Sequence, residues 1–136
     1  MDYENLDEFL KDHHDAILAA VAVRMRGDED MVNVAKHRGL SEAEVSSQVL
    51  GFWLQGIRSD LTLGSTAAME QNMKWLKSFR AGHELPFDGK TVRRCFTEIS
   101  DEIRSRLEAQ DLRVEYSSYE AEVGGLIAAS FPDITT

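Results

Sequence analysis

Histidine and cysteine are the residues of this chain that could hold a metal or drive nucleophilic catalysis. The histidines are His13, His14, His37 and His83, and the single cysteine is Cys95. Adjacent histidines point their rings apart on a helix, so the first two do not form a ligand pair. No Glu-x-x-His pair repeats the inward pattern of a di-iron bundle. The sequence predicts no metal site and no enzyme, with a small metal–carboxylate helical enzyme kept as an alternative.

A haem ligand is the second kind of chemistry that histidine could supply. Globins bind iron through a His near the end of one helix, and His83 follows a helical pattern that Gly82 should end. That ending would place the imidazole in a loop. His13 lies on the apolar stripe of the first helix, where a partly buried ring bonded to a neighbour is the simpler interpretation. His83 and His13 are the candidates of a haem- or cofactor-binding alternative, and the main prediction is no cofactor.

Aromatic residues are concentrated in the middle third of the chain. Trp53, Trp75 and Phe79 could line a pocket for a small molecule. Residues of this kind at helical spacing are more often part of the core. Cys95 lies beside the apolar stripe of a helix, where a thiol usually behaves as a small hydrophobic group.

Basic residues form one stripe despite the acidic balance of the chain. Lys74, Lys77 and Arg80 fall three residues apart on a predicted helix. They could dock an acidic partner protein or a small anion. A solvated basic face is the common alternative, since exposed charge pairs are individually weak.

Length and composition bound the function classes. The 136 residues fit a single domain over 1–136. Apolar residues make up 43% of the chain and charged residues 29%. Lys plus Arg number 15 and Asp plus Glu 24, so the net charge is −9. That balance disfavours nucleic acid as a partner. No run approaches the roughly 20 apolar residues of a membrane span. The acidic N-terminus lacks the pattern of a secretory signal, so a cytoplasmic location is expected.

Capping residues predict where the helices begin and end. Candidate N-caps are Asn5, Asp28, Ser41, Ser65 or Thr66, and Asp88. Helices are expected to close at Gly27, Gly39, Gly64 and Gly82.

Apolar residues recur at three- and four-residue spacing behind each cap. The third helix has a stripe of Val45, Val49, Phe52, Trp53, Ile57 and Leu61. The stripes are one-sided, so the helices should wrap a shared core. The predicted fold is all-α with five or six helices, globin-like or a related bundle.

Two segments carry a resemblance to a known family. One is the Leu-Ser-x-x-Glu helix start within residues 39–45, and the other is the Arg-Ala-Gly…Pro-Phe turn of residues 80–87 before an amphipathic helix. With these, roughly residues 5–130 resemble the globin-like, haem-free N-terminal sensor domain of RsbR-type stressosome proteins. Related domains precede STAS domains and histidine kinases.

The resemblance implies a regulatory sensor of the stress response without catalytic residues. It implies a homodimer that passes a signal through its last helix to a partner protein or a fused output domain. The tail 131–136 is then expected to lead toward such a domain. The family has no fixed ligand set, so no binding residue is carried over.

Overall fold

Six helices make up the computed structural model, which describes residues 5–81 and 89–131, with side chains over 5–77 and 90–131. They are α1 (Leu6–Arg24), α2 (Glu29–Arg38), α3 (Glu42–Leu63), α4 (Ala67–Ala81), α5 (Gly89–Arg106) and α6 (Gln110–Ser130). No strand occurs within the described ranges. The prediction of an all-α fold is confirmed.

The first three helices begin at the predicted caps. The Asn5 side chain accepts a hydrogen bond from the Glu8 backbone N–H at 2.9 Å. Asp28 accepts from two N–H groups of α2 at 3.1 and 3.2 Å. Ser41 accepts from the Glu44 N–H at 3.1 Å, and its hydroxyl donates to the Glu44 carboxylate. Each cap satisfies donors that the helix itself leaves unpaired, which stabilises it by about 1 kcal/mol.

Glycine ends α2 and α3 as predicted. Gly39 and Gly64 adopt left-handed backbone angles, with φ of 67° and 66°. A side chain would be strained in this conformation, so glycine stops each helix at low cost. The predicted end at Gly82 and the predicted cap at Asp88 lie outside the described residues.

Helix α3 lies at the centre of the fold and packs against α1, α2, α4 and α5. Helix α1 also packs on α5, while α6 lies across α4 and α5. One continuous core joins all six helices. None of the helices in the described part of the chain is long and apolar enough to cross a membrane.

The predicted one-sided stripe of α3 is wrong in part. Val49, Phe52 and Leu61 are only half-buried, whereas Leu50 and Leu54 are fully buried. The buried arc of α3 comprises Val45, Ser46, Leu50, Trp53, Leu54, Gly56, Ile57 and Asp60. A helix with neighbours on several sides buries a wider arc than a surface helix does. Helix α3 therefore buries a wider arc than predicted, but it keeps an exposed face at Glu44, Gln48, Gln55, Ser59 and Thr62 and so still wraps the core.

An ion-pair cluster joins the end of α1 to α5. Arg24 contacts Glu98 at 2.8 Å and Glu102 at 2.5 Å, and Arg106 contacts Glu102 at 2.5 Å. Burial disfavours the charged form of Glu102, but hydrogen bonds from the two guanidinium groups outweigh it and hold its pKa below the usual value. The cluster thus fixes the α1–α5 packing at its rim.

Candidate functional site

A pocket of about 160 Å³ lies between α2, α3, α4 and α5. Its walls are mostly apolar, with a few polar side chains among them. The described lining residues are Val34, Arg38, Val45, Gln48, Val49, Phe52, Trp53, Trp75, Leu76, Thr91, Val92 and Cys95. Four different helices are needed to close it, so the pocket exists only in the folded chain.

Both tryptophans of the chain line this pocket. Trp53 is 1% exposed and lies 6.2 Å from Phe96, between ring centroids. Trp75 is 43% exposed, and its ring lies 4.9 Å from that of Phe52. One tryptophan therefore forms the floor and the other the edge. The side chain of Phe79, the third predicted pocket residue, lies outside the described part, and ligand binding stays a prediction.

The position of α3 explains why its side chains reach the pocket. Val45, Val49 and Phe52 are spaced four and three residues apart, which places them on one face of the helix. That face points toward α2 and α4 beside the fully buried arc. The predicted stripe of α3 thus marks the pocket wall at its N-terminal half, rather than the centre of the core.

Polar groups lie among the lining residues at three positions. The Thr91 hydroxyl donates to the Asp30 carboxylate at 2.5 Å, so it is engaged with the protein. Arg38, in the last turn of α2, and Gln48 of α3 are exposed. Among the described residues, no ion pair or hydrogen bond of the Arg38 side chain is found. The pocket therefore combines an apolar interior with a cation at its rim.

Cys95 lines the pocket as a buried thiol. It is 1% exposed, and its pKa is raised well above the ordinary value, first by burial and then by the nearby charge of Asp28. A nucleophilic cysteine needs a lowered pKa. This arrangement favours the thiol form, and Cys95 serves as part of the apolar wall, as its position on the stripe predicts.

None of the histidines that the structure describes is among the lining residues of the pocket. His13 is half-buried and stacks on Phe9, with ring centroids 4.4 Å apart, and is not among the pocket's lining residues. His14 Nδ1 lies 3.3 Å from Arg58, and burial followed by the Arg58 charge lowers the pKa of His14. His83 lies outside the described residues. Within the described ranges, no group of three His, Cys, Asp or Glu is arranged to hold a metal ion.

Two members of the predicted basic stripe lie on the surface of α4. Lys74 and Lys77 are exposed, and the Arg80 side chain lies outside the described part. The position agrees with either a docking face or a solvated one. Docking of an acidic partner there stays a prediction.

A buried carboxylate that the sequence interpretation missed caps α4 from the preceding helix. Asp60 of α3 is 1% exposed. It accepts from the backbone N–H groups of Ala68 at 2.7 Å and Met69 at 3.2 Å. Ser65, a predicted cap, accepts only from the Ala67 N–H at 3.3 Å. The available signal was an acid one turn beyond Ile57 on an apolar face, which must find donors to be buried.

Two tyrosines of α6 complete the polar contacts of the interior. The Tyr119 hydroxyl donates to Asp60 Oδ2 at 2.8 Å, which ties α6 to α3. The Tyr116 and Ser100 hydroxyls lie 2.7 Å apart, which ties α6 to α5. Burial is the first cause that raises the pKa of each tyrosine above its ordinary value. Both phenols are thus held neutral. Their hydrogen-bond partners, Ser100 and Asp60, belong to α5 and α3, which also line the pocket.

Comparison with protein-family models, with curated proteins and with solved structures finds no match to this chain. The resemblance to RsbR-type sensor domains therefore stays a prediction. The function is inferred from the pocket and from the contacts of α6. Helices α3 and α5 take part in both features and connect them.

Proposed function

We propose that this chain is a cytoplasmic regulatory sensor domain that works through protein contact and not through catalysis. The observation that carries the proposal is the pair of buried hydrogen bonds from Tyr116 and Tyr119 of α6. Their partners lie on α5 and α3, two of the helices that line the pocket. A change in the pocket is thereby linked to the position of the last helix.

The energetic basis of this link is the cost of an unpaired buried group. Leaving a buried donor or acceptor without a partner costs about 1–3 kcal/mol. If α3 and α5 shift when the pocket is occupied, α6 follows them in order to keep both bonds. A ligand can shift the balance between two such arrangements only through a difference in its affinity for them. The pocket supplies a place where that difference can arise.

The outer face of α6 supports the proposed homodimer. Exposed residues recur there at alternating four- and three-residue spacing, the repeat of a coiled-coil seam. They are Val114, Ser118, Ala121, Gly125 and Ala128. Val114 is 60% exposed, and the others are small enough to let a second helix approach closely. We propose that a second copy of the chain covers this seam, and that an acidic partner or output domain is contacted at the Lys74/Lys77/Arg80 stripe.

Light scattering coupled to size exclusion tests the dimer. The wild-type chain should elute as a dimer at high micromolar concentration, and Ala121→Glu should elute as a monomer because it places a charge in the seam. The matched control is Ala67→Glu, the same substitution at an exposed alanine in the first turn of α4. It should remain dimeric. A wild-type chain that is strictly monomeric would refute this part of the proposal, as would equal effects of both variants.

A further inference from the structure

We infer that the pocket between α2, α3, α4 and α5 binds a small carboxylate that carries a single aromatic ring. The ring would lie against Trp53 and Trp75, and the carboxylate would pair with Arg38. The inference rests on the sensor function proposed above and names the class of molecule that the sensor detects. Size, wall chemistry and charge each support it.

The size of the pocket limits the ligand to one ring. Its volume is about 160 Å³. An apolar cavity of about 150 Å³ in a protein takes up one benzene molecule. A fused ring system or a long chain would need the surrounding helices to move apart.

The walls favour an apolar and aromatic body. Val45, Val49, Leu76 and Val92 contribute an aliphatic lining. A ring that enters the pocket leaves water for this lining, which is favourable. Indole rings prefer tilted or offset contacts with another ring at centroid distances of about 4.5–7 Å. Trp53 is buried, so a ring packed against it would be shielded from solvent.

The charge at the rim selects an anion. Arg24, Arg94, Arg104 and Arg106 each form an ion pair with a carboxylate of the chain. Among the described residues, no such partner of Arg38 is found, although the chain has nine more acids than bases by formal charge. A guanidinium can hold a carboxylate through two parallel hydrogen bonds. Arg38 can therefore take the carboxylate of a ligand whose ring occupies the apolar interior.

Calorimetric titration with benzoate and with benzyl alcohol separates the two contributions. The two probes share a ring and differ in charge. Arg38→Gln should weaken benzoate binding about tenfold, the loss expected for a hydrogen-bonded charge pair. It should leave the affinity for benzyl alcohol unchanged, which also shows that the pocket is still formed. The control Arg113→Gln removes the same charge from an exposed position on α6 and should change neither affinity.

Tryptophan fluorescence gives a second readout, because the only two tryptophans of the chain both line the pocket. Val49→Phe, which fills the cavity, should abolish the response to both probes. The inference is overturned if neither probe binds the wild-type chain, or if Arg38→Gln leaves benzoate binding intact. If the chain is a dimer and binds neither probe, the inference about the ligand is overturned and the regulatory proposal stands. A strict monomer that binds benzoate through Arg38 would refute the proposed dimer and leave the ligand inference standing.

Discussion

Replacing Tyr119 by Phe removes one hydroxyl from the junction of α3, α4 and α6. The hydroxyl is lost from a residue that is 7% exposed, and water has little access to replace it. Asp60 then keeps its bonds from the N–H groups of Ala68 and Met69, but Oδ2 is left with only the longer contact at 3.2 Å. The substitution therefore weakens the solvation of a buried carboxylate without creating a large cavity.

The expected cost follows from the charge of the acceptor. A hydrogen bond to a charged group contributes about 1.5–3 kcal/mol, and a neutral one about 1 kcal/mol. We expect Tyr119→Phe to lower the free energy of unfolding by about 2 kcal/mol, since one donor to Oδ2 remains. For a chain of this length, that loss corresponds to a fall in Tm of about 7 °C. Tyr116→Phe is the matched variant, and its bond to the Ser100 hydroxyl predicts only about half that loss.

Urea unfolding followed by circular dichroism measures both variants, and its pH dependence gives an independent check. The pKa of Tyr119 is raised in the folded chain. The folded state therefore keeps the phenolic proton where the unfolded state, with a pKa of about 10, loses it. The stability supplied by this proton is complete below about pH 10 and falls as the pH rises. Phenylalanine cannot ionise. The difference in the free energy of unfolding between the wild-type chain and Tyr119→Phe should therefore become smaller above about pH 10.

Two results would contradict this account of Asp60. One is a loss in Tyr119→Phe no greater than that in Tyr116→Phe, which would mean that the charge of the acceptor has no effect. The other is a difference in the free energy of unfolding between Tyr119→Phe and the wild-type chain that stays constant from about pH 8 to about pH 11. Either result would also remove the support for the Tyr119–Asp60 bond as the main contact through which α6 is proposed to follow α3.

The remaining predictions concern the caps and the ion pairs. Asp28 caps α2 and also pairs with Arg94 at 2.7 Å. Asp28→Ala should therefore lower the free energy of unfolding by about 2 kcal/mol, measured in a thermal melt. Ser41→Ala removes a cap alone and should cost about 1 kcal/mol in the same melt. Glu102→Gln should cost about 1 kcal/mol at neutral pH. Since the pKa of Glu102 is lowered in the folded chain, that difference should disappear in urea titrations as the pH falls below about 4.

Helix boundaries could be predicted from the sequence because capping is local. A side chain at position i bonds to a donor two or three residues later, as Asn5, Asp28 and Ser41 do. The left-handed glycines at 39 and 64 are local for the same reason. These signals do not predict the start of α6, whose N-cap Ala109 makes no side-chain hydrogen bond. The all-α class follows from the three- and four-residue spacing of the apolar residues.

The Asp60 junction could not be predicted, because it depends on contacts between distant positions. Its three donors come from residues 68, 69 and 119, and only the folded chain brings the last of these near. The same limit applies to α3, whose buried arc depends on how many helices surround it. For the pocket, Trp53 and Trp75 could be predicted as lining residues because they are large aromatic side chains. Arg38 could not, because it reaches the pocket only through the packing of α2 against α3.

The chemical nature of the α6 contacts bears on how a signal could be passed. Val123 and Ile127 are buried apolar side chains of α6. The hydrophobic effect that favours their burial has no direction, so it does not by itself select one register of the helix. A hydrogen bond tolerates little displacement, since it weakens steeply with distance and angle. The bonds of Tyr116 and Tyr119 therefore fix the register of α6 against α5 and α3. Under the proposed function, these two bonds are the contacts through which a shift of α3 and α5 would carry α6 and its exposed seam along.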